Sequence, residues 1–91
     1  MTYKFHQYYI SERMMDSIER YTTFHIRPEG FLQAVICNDL KEAIGRADDE
    51  NMANLPAYIA YFYNDAPASC WGSKENMKLW LAQRKEVKED E

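Results

Sequence analysis

The sequence predicts an all-α fold, a compact bundle of about four short helices preceded by an extended N-terminal arm. Three observations lead there. Apolar residues recur at helical spacing in four segments. Three glycines and three prolines punctuate them, with Pro28 and Gly30 in IRPEG and Pro67 and Gly72 around APASCWG. The 91 residues are 46% hydrophobic and 14% aromatic, enough for one core in a chain too short for two ordinary domains. A net charge of -4 is too small for a disordered chain of this apolar content.

Residues 1–10 carry Tyr3, Phe5, Tyr8, Tyr9 and Ile10. A lone strand finds no partner here, so this segment reads as an extended arm packed on the helices or paired with another copy, the runner-up fold being three helices on an N-terminal arm or hairpin. Residues 11–83 form the helical domain. Ser11 is an N-cap signal, with Glu12 in the first turn and Met14, Met15, Ile18 and Tyr21 on one face. That helix spans 12–25 and ends before Pro28. The run GFLQAVICNDLKEAIGRA then reads as one long helix with Phe31, Leu32, Val35, Ile36, Leu40, Ala43 and Ile44 as its stripe. Gly45 inside it implies a close contact. Asp48-Asp49-Glu50-Asn51 reads as a polar turn. Pro56 fits the first turn of a third helix, LPAYIAYFYN, whose apolar circumference places it at the centre or against a second subunit. Ser73 caps a fourth helix with Met77, Trp80 and Leu81 on its apolar face. Residues 84–91, RKEVKEDE, are a charged tail.

Charge narrows the function classes. Between Glu29 and Asp65 seven acids face two bases, a local charge of -5 that leaves +1 elsewhere. No basic stripe is visible for a phosphate backbone, so direct nucleic-acid binding is not expected. An acidic surface suits a basic partner protein. No segment approaches the length of a membrane helix, and MTYKFHQYYI lacks a cleavage site, so a cytoplasmic location is expected. Cys37 and Cys70 read as free thiols of a reducing compartment.

No motif carries chemistry. Two His and two Cys match no zinc spacing, and the acidic run lacks an EF-hand's alternation and glycine, so neither metal nor cofactor is expected. Cys37, beside Ile36, reads as a small core residue rather than a nucleophile, and no acid, base and nucleophile converge, so the chain reads as no enzyme. WGSK offers only a generic anion corner that helix capping also explains. Asn38-Asp39 is out of place in mid-helix and reads as a polar face or a contact point. The tyrosines are the strongest candidates, because Tyr58, Tyr61 and Tyr63 on ten residues cannot all point inward. They divide between core and interface.

The run GFLQAVICNDLKEAIGRADDEN, with LPAYIAYFYNDAPASCWGS and KLWL, resembles a group of small uncharacterised proteins of bacteriophages and integrated mobile elements. The likeness covers residues 11–82. It implies a genetic setting, an accessory protein in the cytoplasm of a bacterial host, and no catalytic residue. Small accessory phage proteins often bind and block a host factor, CRISPR–Cas and other defence systems included. The leading expectation is therefore a non-enzymatic protein that docks on a basic host protein through Asp39, Asp48, Asp49, Tyr58 and Tyr61, the acids steering and the aromatics anchoring. One alternative is an oligomeric nucleotide-signal binder, with Tyr63 or Trp71 stacking on a base and Arg46 or Lys74 on phosphate. Another is a phage structural or assembly protein.

Overall fold

The computed structural model describes residues 2–84. It is mostly helical, with a small two-stranded hairpin at the N-terminus. The hairpin corrects the expected extended arm. Strand β1 (Tyr3–Phe5) pairs antiparallel with β2 (Tyr8–Ile10) in the register Tyr3↔Ile10, Lys4↔Tyr9, Phe5↔Tyr8. His6 turns the chain with φ 56°, a left-handed conformation usually signalled by Gly or Asn. The partner that the arm lacked is its own second half.

Helix α1 (Glu12–Phe24) starts at Ser11, whose hydroxyl accepts from the Met14 N–H at 3.3 Å. It buries Met14, Met15, Ile18 and Tyr21 and stops at His25, φ 58°. Helix α2 (Gly30–Ile36) is capped by the Glu29 carboxylate, which accepts from Leu32 N–H at 2.9 Å.

The long helix expected next is broken in two. Asn38 adopts φ 61°, the Asn38 N–H bonds Val35 O at 3.0 Å, and the Asp39 N–H bonds Ala34 O at 2.9 Å. This paired pattern around a left-handed residue ends a helix. Asp39 then caps α3 (Leu40–Arg46). Cys37 is thus a helix end, not a mid-helix residue. The break redirects the apolar stripe: Ala43 is buried, whereas Leu40 and Ile44 are exposed. Gly45 has open space around it, not the expected close contact.

The polar turn supplies a cap, Asp48, to a one-turn helix α4 (Asp49–Ala53). Helix α5 (Leu55–Asn64) follows with Pro56 in its first turn. A 3-10 turn, Ala68–Cys70, leads to α6 (Lys74–Leu81), where Ser73 Oγ accepts from Asn76 N–H at 3.0 Å.

One cluster joins all of this: Ile10, Met14, Ile18, Tyr21, Leu32, Val35, Ile36, Tyr58, Phe62 and Cys70 lie at its centre. The hairpin lies on α5, with the Tyr3 and Tyr61 rings edge to face at 5.2 Å. Asn54 fastens it, accepting from Tyr9 N–H at 2.9 Å. The Tyr21 hydroxyl donates to Cys70 O at 2.6 Å and the Trp80 indole donates to Tyr21 O at 2.8 Å. These bonds tie α1, the 3-10 turn and α6 together. No helix among the described residues is long and apolar enough to cross a membrane. The charged tail from residue 85 onward lies outside the described residues.

Candidate functional site

Helix α3 borders two surface features, which share Asn38, Asp39 and Leu40 in their linings. Ala43 faces the body, so the two flanks of this helix stay at the surface. On one flank Leu40 is 63% and Ile44 43% exposed. Leu40 edges a shallow apolar slot with Val35, Leu55 and Ile59, and Asn38 and Asp39 also line it. Ile59 is 39% exposed. Leu55, Ile59 and Tyr63 recur every fourth residue, so they share a flank of α5. The outcome is an apolar groove between α3 and α5.

On the other flank Glu42 and Arg46 face a polar cleft of about 620 Å³, floored by Gln33 and Cys37 of α2 and walled by Lys74 and Met77 of α6. Arg46 Nε donates to Glu42 Oε1 at 2.9 Å. Asp39 also lines this cleft. Its two cations are therefore matched by two carboxylates, and it has no strong preference for an anion.

The sequence-predicted contact residues scatter. Asp39 stands at the groove, exposed, and its Oδ1 accepts from Glu42 N–H at 3.2 Å as the α3 cap. Asp48 accepts from Asn51 N–H at 2.8 Å as the α4 cap, and Asp49 follows in the first turn; both are exposed. Tyr58 is not at the surface. It is 1% exposed, packs edge to face on Phe31 at 5.1 Å, and donates its hydroxyl to Asn51 Oδ1 at 2.6 Å. Burial pushes its pKa far up. Tyr61 is half-buried between Tyr3 and Phe62. The acids remain surface groups, whereas the aromatic anchors belong to packing.

The four residues of the nucleotide reading divide in the same way. Arg46 and Lys74 meet in the polar cleft. Trp71 stacks on Phe62 at 5.7 Å, half-buried, and Tyr63 is 77% exposed on α5; neither lines that cleft. Cations and stacking rings are thus not in one place.

Neither thiol has an activating setting. Burial raises the Cys37 pKa despite the opposing pull of Lys74, and burial raises Cys70 to about 11. Among the described residues no group of three or more His, Cys, Asp or Glu is placed to hold a metal ion. Every buried side-chain nitrogen or oxygen among the described residues has a hydrogen-bond partner.

The residues that sequence reasoning missed are Leu40, Ile44 and Ile59. Their signal was present: Asn38-Asp39 is an αL-plus-cap pair, and a helix restarted there need not keep the phase of the preceding stripe. Comparison with protein-family models, with curated proteins and with solved structures finds no match to this chain.

Proposed function

We propose that the chain is a protein-binding module whose α3–α5 groove receives a segment of a partner protein. The observation that carries this reading is the exposure of Leu40 and Ile59 in the lining of one slot, with Ile44 exposed one turn along α3 from Leu40. Contiguous exposed apolar surface of this kind marks interaction sites. Two helices flanking a slot suit an amphipathic helix laid between them. The acids select its charge. Asp39 stands at the slot, and the segment from Glu29 to Asp65 that builds it carries -5. A basic-flanked helix is complementary to that rim, whereas a second copy would bring the same acids against it. In the phage-like setting that the resemblance implies, such docking blocks a host protein, a defence component such as CRISPR–Cas among them.

Affinity capture from a bacterial lysate tests this with three forms: wild type, Ile44→Asp and Leu79→Asp. Leu79 is an exposed apolar control on α6. The expected result is one stoichiometric partner held by wild type and Leu79→Asp, lost from Ile44→Asp, and released as salt screens the acids. Equal retention by Ile44→Asp, or recovery of the chain alone, contradicts the reading.

A further inference from the structure

We propose that the corner where α1 and α6 end is a binding site for the phosphate group of a small solute, with Arg27, Arg84 and His25 as its polar groups. It shares no residue with the α3–α5 groove and stands independently of the docking reading.

The three residues line one cavity of about 370 Å³ together with Leu81 and Ala82, and among the described residues no carboxylate lines it. That volume is in the range of small-ligand sites, about 300–1,000 Å³. Among the described residues no acid pairs with Arg27 or Arg84. The contrast with the larger cleft is direct, since there Arg46 is bound to Glu42 and Asp39 stands nearby. In an adjoining hollow Arg27 meets Arg20, and the one acid there, Glu29, is engaged in capping α2.

The His25 side of the cavity is held by contacts of its own. His25 is fixed by its left-handed backbone, by its ring 4.5 Å from that of Trp80, and by Nδ1 at 3.0 Å from Trp80 O. A carbonyl partner assigns the proton to Nδ1, so the neutral ring offers Nε2 as an acceptor, suited to a protonated phosphate oxygen. Trp80 is itself held by its bond to Tyr21 O. Two guanidinium forks and an imidazole approach from two places in the chain, residues 25–27 and Arg84. A planar carboxylate is satisfied by one fork, whereas a tetrahedral phosphate uses donors from several sides.

Titration of the ¹⁵N-labelled full chain with inorganic phosphate and with adenosine monophosphate, against chloride at equal ionic strength, tests the site. The expected result is saturable movement of the Arg27 and Arg84 Nε–Hε signals and of the Trp80 indole. The paired substitution Arg27→Gln, Arg84→Gln weakens binding by about tenfold or more while the spectrum stays folded. The paired substitution Arg46→Gln, Lys74→Gln leaves affinity unchanged. A response equalled by chloride, or full affinity in the Arg27/Arg84 variant, overturns the proposal. So does binding of a ten-residue oligothymidylate far tighter, phosphate for phosphate, than adenosine monophosphate, which would make the corner a nucleic-acid surface.

Discussion

On α5, Tyr58 points into the core and Ile59, its neighbour, lies at the surface; on α3, Ala43 is buried and Ile44 is exposed. The polar-tipped ring is inside and the aliphatic side chains are outside, the reverse of what residue type alone suggests. The difference has a physical cause at each place. A phenol is buried without penalty where an acceptor waits, and Asn51 Oδ1 receives Tyr58 while Cys70 O receives Tyr21. An aliphatic side chain reaches the surface where a small residue makes its helix's contact with the body, as Ala43 does for α3. Inside tyrosines hold elements of the fold together, and the outside aliphatics are left exposed.

The strongest way to break this comparison is to remove the interior hydroxyl. Tyr58→Phe leaves Asn51 Oδ1 buried without its donor, and stability falls by about 1–3 kcal/mol in urea unfolding. A loss near zero would place the tyrosine among ordinary packing residues. Alkaline unfolding sharpens the same point. Cys70 has its pKa raised from 9.0 to about 11 by burial, and Tyr21 and Tyr58 move in the same direction. Raised acids are held neutral in the folded state. Their contribution is fully present below the unfolded pKa and is lost as pH climbs toward the folded one. Stability therefore declines between about pH 9 and 11 on account of Cys70, and Cys70→Ala makes that decline shallower. An identical pH profile in the variant would contradict the assignment. The smallest effect belongs to the exposed helix. Nothing lies near Gly45, so Gly45→Ala raises stability by about 0.4–1 kcal/mol in the same unfolding measurement.

Parts of this organisation were legible in the sequence. Pro56 and Ser73 mark helix starts whose chemistry is local, so α5 and α6 begin where those residues place them. The hairpin was legible only as the runner-up reading, because His6-Gln7 has neither the Gly nor the Asn that advertises a two-residue turn. Asn38-Asp39 was visibly unsuited to mid-helix, yet only the backbone shows that it ends one helix and caps the next. That turn sets the direction of α3, and with it the exposure of Leu40 and Ile44. Periodicity within a segment carries no information about a rotation between segments. The basic corner was hidden for a related reason: Arg84 is distant in the chain from His25 and Arg27, and only the packing of α6 on the end of α1 unites them. The acids, exposed and short-ranged in their capping bonds, were read correctly as surface groups.

The adjacent pair Tyr58 and Ile59 gives the most direct test. Unfolding free energy and partner capture are measured together in Tyr58→Phe and in Ile59→Asp. The expected result is a crossed pattern: Tyr58→Phe is less stable and still captures the partner, while Ile59→Asp stays within about 1 kcal/mol of wild type and captures nothing. Loss of capture in Tyr58→Phe with retention in Ile59→Asp would contradict the assignment of the inner face to folding and the outer face to binding.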